Sequence, residues 1–342
     1  MGKALLSVDN LEVGFETDQG LARVLDHVNF DIMPGEIVGL VGESGCGKTT
    51  LARAILGVLP QNSARISAGS ITFQGRNLLD VSKKDLASNV RGKLISFIPQ
   101  DPLSSFNPVF TIGSQIMELM KWKSPDAPAS KPFMRYNKSR QDSDKKRVLD
   151  LLKTVQLPDG EGVLRKYPHE VSGGQRQRLM IAMALLPEPR MIIADEPTTA
   201  LDVTIQAQIL KLLRTVSVER GVSVLFTTHD LGAAYEICDK VTVMYAGQEV
   251  ESAPSSKFFS NPKHPYTIKL LQSLPSHAKD IQGIPGQIPS LTNAPTGCRF
   301  HPRCSNATPK CSGERPPITL LDNEHTLRCF NSDAVLNSDE TK

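Results

Sequence analysis

"GESGCGKTT", Gly42–Thr50, decides the fold of this chain. It fits G-x-x-x-x-G-K-[ST], with the apolar run IVGLV before it and LARAILGVL after it. The order strand, glycine loop, helix is the context in which this pattern cradles phosphate. Gly42, Gly45 and Gly47 allow successive backbone N–H groups to curl round an anion without obstruction from Cβ atoms. The helix that opens after Gly47 points the positive end of its dipole at the same anion. Lys48 supplies a mobile charge for the β- and γ-phosphates, and Thr49 a hydroxyl for Mg²⁺. Glu43, Ser44, Cys46 and Thr50 complete the nucleotide loop. Cys46 reads as a small filler there rather than a nucleophile.

A second element, RMIIADEP at 190–197, has the pattern of a buried strand delivering two carboxylates at its C-terminal end. Asp195 is expected to hold Mg²⁺ and Glu196 to orient and polarise an attacking water. These residues predict a nucleotide-hydrolysing α/β protein. A phosphate loop alone does not say what the hydrolysis drives.

Bulk properties narrow the class. The 342 residues are 39% hydrophobic and 22% charged, the balance of a soluble globular protein of about two domains. The longest strictly apolar run, Leu179–Leu186, is far below the roughly 20 residues of a membrane span. No apolar stretch of signal-peptide length opens the sequence, so a cytosolic location is expected, with its thiols reduced. The net charge of +3 gives no indication of a nucleic-acid partner. Residues 121–147 alone carry +6, leaving −3 for the rest. Such a segment reads as a solvated, partly disordered insertion, with a contact to anionic lipid as the alternative.

The discriminating motif is VSGGQRQR, 171–178. Here the chain resembles the ATP-binding cassette family, whose signature is usually LSGGQ; Val171 keeps an apolar residue in place of Leu. The resemblance covers about residues 5–255. It implies that Ser172, Gly173, Gly174 and Gln175 form a second helix N-terminus that caps the nucleotide held by another subunit. It also implies that Gln100 links the Mg²⁺ site to a membrane partner and that Asp202 lies where two cassettes touch. His229 is implied to contact the γ-phosphate and Phe15 to stack on adenine. The fold it implies is a phosphate-loop ATPase with a RecA-like core, an N-terminal antiparallel β-layer and a helical subdomain at about 101–172. A small cysteine-containing extension, 256–342, would follow the cassette, 1–255.

One glycine loop, one signature and no heptad run separate the chain from cassettes of DNA repair, chromosome organisation and translation. A transport motor is the expectation, with the permease on separate polypeptides. After the cassette come NPKHPYTIKLLQSLP, IPGQIPSL and GCRFHPRC. Together they resemble the C-terminal extension of dipeptide and oligopeptide importer ATPases, some of whose relatives import nickel, opines, oligosaccharides or murein peptides. The implied assembly has a second, homologous ATPase subunit, two permease subunits and an extracytoplasmic binding protein, on the cytoplasmic face of the inner membrane.

Four of the six cysteines crowd the tail as C-x₅-C-x₆-C-x₁₇-C: Cys298, Cys304, Cys311 and Cys329. Structural zinc sites usually use tight C-x₂₋₄-C pairs. Longer loops suit a larger cluster whose irons need thiolates from several directions. Zinc, buried thiols and disulfides remain alternatives on spacing. In the importers that the tail resembles, this segment binds a [4Fe–4S] cluster. ATP and Mg²⁺ are the other expected cofactors.

Overall fold

Leu6–Thr17 and Gly20–Ile32 form a long antiparallel hairpin whose inner positions, Leu6, Leu11, Val13, Val28 and Ile32, are buried. Ala64–Phe73 pairs with the other edge of the first strand, and Arg76–Asn77 closes a four-stranded antiparallel layer. A computed structural model describes residues 2–127, 136–199, 201–274, 283–322 and 324–331, without the side chain of Leu103. The chain divides into two compact units: everything up to Leu79 together with Thr228 onward, and Asp80–Thr227.

In the first unit, the strand Ile37–Val41 is buried at all five positions, as a strand covered on both faces must be. It runs parallel to Lys240–Tyr245, which turns back antiparallel into Gln248–Pro254. The two-residue turn, Ala246–Gly247, has positive φ at both positions (45° and 86°), the geometry that matches strand twist in a tight hairpin. The strands His325–Leu327 and Thr319–Asp322 then add to the free edge of Gln248–Pro254. The tail therefore extends a cassette sheet, which its irregular, proline-spaced sequence did not foretell. HPYT does open a helix, Pro265–Gln272, with Pro265 at its first position.

The second unit contains the parallel strands Ile95–Ile98, Met191–Asp195 and Ser223–Thr228, in the spatial order third, second, first. Around them, each longer helix starts on a side chain that accepts a backbone N–H. Thr111 caps Ile112–Lys123, Asn137 caps Lys138–Thr154, Ser172 caps Gly173–Leu185 and Asp202 caps Val203–Arg220. The expected α/β class, with an N-terminal antiparallel layer and a helical insertion, is the observed one.

The basic segment departs from expectation. Lys121 and Lys123 end one helix, and 138–147 begin the next. Asp144 is fully buried and accepts from the Tyr136 hydroxyl at 2.8 Å and Arg140 Nε at 3.3 Å, with Arg147 Nη1 at 3.5 Å. Part of that charge is thus structural, because a buried carboxylate needs cationic and hydroxyl partners. Residues 128–135 of the segment lie outside the described residues.

Candidate functional site

The phosphate loop belongs to the first unit. Gly42 has φ 151° and Gly47 φ 111°, both in the region that favours glycine. A Cβ on Gly42 would stand 2.2 Å from the Met244 carbonyl oxygen. Lys48 is buried, and its Nζ donates to the Gly42 carbonyl at 2.7 Å and more weakly to that of Glu43 at 3.4 Å. The cation therefore sits inside the curl of backbone that an anion would enter. Cys46 is buried beside Lys48, and burial pushes its thiol up, with the lysine charge opposing. Its thiol lies 3.8 Å from Lys48 Nζ.

The loop is braced from outside. Glu43 N–H donates to the Tyr266 hydroxyl at 3.1 Å, and Gly247 N–H to the Cys46 carbonyl at 2.9 Å. Arg303 sets a two-pronged fork on the Glu43 carboxylate at 2.8 and 3.2 Å. Burial works against the charge on Arg303, but its bonds to Glu43 and Tyr245 prevail and hold it above the usual guanidinium range. None of these braces was foreseen, since Glu43 and Arg303 are 260 positions apart. Also in this unit, Phe15 is half-buried on its strand, opposite Ala22 and Ala64. His229 is exposed, directly before Asp230, which caps the helix Leu231–Ile237.

The second unit places the two carboxylates at a strand end, as expected. Asp195 is buried and accepts from Thr227 Oγ1 at 2.5 Å. Glu196 has φ 46°, costly for a residue with a side chain. Its N–H is held by the Thr227 carbonyl at 3.0 Å, and its Oε2 accepts from Gln100 at 3.1 Å and Thr199 Oγ1 at 3.2 Å. Gln100 and Glu196, read as separate motifs, are thus brought together. Carboxylate and amide oxygens form a hard donor set of the kind Mg²⁺ takes.

The signature lies at the start of Gly173–Leu185. Ser172 and Gln175 form a reciprocal capping box: each side chain accepts the other's backbone N–H, at 3.2 and 3.0 Å. Ser172 and Gly173 are exposed. Arg178, buried one turn on, donates to the Val155 carbonyl at 3.0 Å and to the side chains of Gln156 and Gln208, both at 2.7 Å. It ties the signature helix to the end of Lys138–Thr154 and to the second turn of Val203–Arg220, a role that nothing in the sequence could assign. Asp202 accepts Ile205 N–H at 2.9 Å.

In the tail, Cys298, Cys304, Cys311 and Cys329 all line one small cavity, with Phe300 and Phe330. All four are free thiols. Burial pushes Cys298 up to about 11, with the charges of the other three acting in the same direction. The cavity also borders His264, whose Nδ1 accepts Tyr266 N–H at 3.0 Å and whose full burial holds it neutral, near 4. Among the described residues, no group of three or more His, Cys, Asp or Glu is placed to hold a single metal ion.

This fold, with its phosphate loop, carboxylate strand and signature, defines a class. Residues 25–199 match the family model described as ABC transporter, and 250–311 match that of the oligopeptide/dipeptide transporter C-terminal region. The chain belongs to the ABC transporter family and is one of its ATP-hydrolysing subunits. It is 43% identical to the probable peptide ABC transporter ATP-binding protein y4tR of Sinorhizobium fredii, over 97% of this chain and 96% of that one. It is 41% identical to the dipeptide transport ATP-binding protein DppD of Bacillus subtilis, over 98% of both. Among solved structures it is similar to the dimeric ATP-binding cassette MJ0796 in a post-hydrolysis state bound to ADP and Pi. There the TM-score is 0.61 at 26% identity, covering 73% of this chain and 98% of that one. Among the described residues no helix is long and apolar enough to cross a membrane.

Proposed function

We propose that this chain is the ATP-hydrolysing motor of a peptide importer, acting from the cytoplasmic face of the membrane. One observation carries the reading: a full set of cassette motifs is joined to a tail matching the oligopeptide/dipeptide transporter C-terminal region. The motor corresponds to residues 1–255 and the appended segment to 256–342. Its partners are a homologous second ATPase subunit, two permease subunits and an extracytoplasmic binding protein.

In this reading Lys48 exchanges the Gly42 and Glu43 carbonyls for phosphate oxygens. Thr49, Gln100 and Asp195 are the Mg²⁺ ligands, directly or through water. Glu196 positions and deprotonates the attacking water, steadied by Gln100 and Thr199, and His229 contacts the γ-phosphate. Phe15 stacks on adenine. Ser172, Gly173, Gly174 and Gln175 cap the nucleotide on the neighbouring cassette, with Asp202 at that contact, so binding energy is converted into closure. The four tail cysteines are the ligands of an iron–sulfur cluster, which would staple a segment with little apolar core of its own. Their convergence on one cavity is the observation on which that assignment rests.

A strain lacking this chain is expected to lose uptake of labelled di- and tripeptides. The wild-type gene should restore it and Lys48→Ala should not. Undiminished peptide uptake with loss of nickel, opine or oligosaccharide uptake would assign the motor to a different cargo. For the tail, anaerobic purification should yield iron and sulfide; one equivalent of zinc without iron would overturn the cluster.

A further inference from the structure

The tail holds two of its four cysteines and two of its four arginines in one short run, GCRFHPRC, in which Arg299 follows Cys298 and Arg303 precedes Cys304. Both arginines are about 4% exposed in their side chains, and both run into the phosphate-loop region. Each N–H of Arg303 has an acceptor. Nε donates to the Pro285 carbonyl at 2.9 Å, and Nη1 to Glu43 at 2.8 Å and the Tyr245 hydroxyl at 3.3 Å. Nη2 donates to Glu43 at 3.2 Å and the Ile284 carbonyl at 3.1 Å. Five donors so satisfied fix a planar group as rigidly as a side chain can be fixed.

Arg299 acts on the same loop by a second route. It pairs with Asp26 at 3.0 Å and donates to the Ala246 carbonyl. Ala246 has φ 45°, and its neighbour Gly247 donates to the Cys46 carbonyl. A turn strained at Ala246 persists only where its surroundings over-determine it. Phe300, between the two arginines, is buried in edge-on contact with Tyr245 at 5.1 Å and tilted against Tyr266 at 5.3 Å. Tyr266 is the acceptor for Glu43 N–H. Two anchors from the tail region, Arg303 and Tyr266, thus meet one loop of six residues, and Arg299 reaches it through the turn at Ala246–Gly247.

We propose that Arg303 is a positioning residue for the phosphate loop, with Arg299 and Tyr266 in support, so that the cysteine-bearing tail sets the affinity of the cassette for ATP. The proposal rests on the reading that Lys48 and its loop hold the nucleotide. Neither arginine touches phosphate. Arg303 holds the Glu43 side chain, and Arg299 holds the turn that Gly247 joins to Cys46; both thereby order the loop, and a loop that must be ordered on binding loses affinity relative to one already in place.

The test is the KM for ATP and kcat of the assembled transporter, with the nucleotide Kd of the isolated chain. Arg303→Gln is expected to raise KM and Kd about tenfold with kcat within about twofold, the signature of lost uniform binding. Arg303→Lys, which keeps the charge but not the fork, should recover only part of the loss. In combination with Glu43→Gln the effects should be strongly non-additive, since the two remove one interaction. Lys48→Ala serves as the separate check on the loop itself. If Lys48→Ala abolishes ATP binding while a folded Arg303→Gln keeps wild-type KM, the clamp is wrong and the loop reading stands. Undiminished ATP binding by Lys48→Ala would remove the loop reading and the clamp with it. If Arg303→Gln fails to assemble, Tyr266→Phe decides: it keeps the ring and removes only the acceptor for Glu43 N–H. A threefold rise in KM supports the clamp, and an unchanged KM overturns it.

Discussion

The chain contains two helix N-termini suited to an anion, and they are built in opposite ways. The phosphate loop before Lys48–Leu56 exposes Ser44 and Gly45 at its tip, but it is filled by its own buried lysine and braced by Tyr266, Arg303 and Gly247. The signature before Gly173–Leu185 has Ser172 and Gly173 exposed and is closed by its own capping box. In the proposed motor the first receives a free nucleotide and the second meets one already held by another molecule. A site that binds alone gains from being ordered in advance. One that docks on a partner must stay open, and its rigidity comes from behind, from Arg178 and the helices it ties together.

The largest effect should come from removing the chemistry that both loops serve. Glu196→Gln is expected to lower turnover by about 10³-fold, within the range for a lost general base. ATP binding should be retained, and the assembled cassettes should stay closed around it. The measurement is steady-state hydrolysis with nucleotide retention on a desalting column. Full turnover would show that the two loops do not await Glu196 at all.

The next effect separates the braced loop from the open one by stability. Gly42→Ala sets a Cβ against the Met244 carbonyl oxygen at 2.2 Å in a conformation that side chains rarely adopt. Backbone must move, and a loss of more than about 3 kcal/mol is expected in denaturant melts. On the signature side, Ser172→Ala removes a cap and should cost about 1 kcal/mol. Equal costs at the two positions would erase the contrast between them.

What could be read in advance follows the same division. Strand, glycine loop and helix are neighbours in sequence, so IVGLV, Gly42–Thr50 and LARAIL announce themselves. The carboxylate strand does too, because four apolar residues before Asp195 and Glu196 have little other use. The braces do not. Arg303 finds Glu43 only after the chain has returned through the hairpin at Ala246–Gly247 and the helix Pro265–Gln272. Nothing local marks an arginine beside a cysteine as a clamp. Asp144 was hidden for a related reason: among so many lysines and arginines an acid looks solvated, yet it is the buried centre of a small ion cluster. The tail strands are three and four residues long, too short to show an alternating pattern.

The smallest expected effect is the sharpest on the comparison. A Cβ on Gly173 meets nothing within 4 Å, and Gly173 is not among the glycines with positive φ. Gly173→Ala should therefore leave the isolated chain as stable as before or more so, by about 0.5 kcal/mol, because the unfolded chain loses freedom while the helix start loses nothing. Its Kd for ATP should not change, since the phosphate loop is untouched. Hydrolysis by the assembled pair should nonetheless fall, because the added methyl stands where the neighbour's nucleotide is proposed to approach. A stable subunit that binds ATP normally and fails only in company would place the defect at a surface used by another molecule. Unimpaired hydrolysis in the assembly would mean that the open loop is not a docking face for nucleotide, however well its helix start is formed.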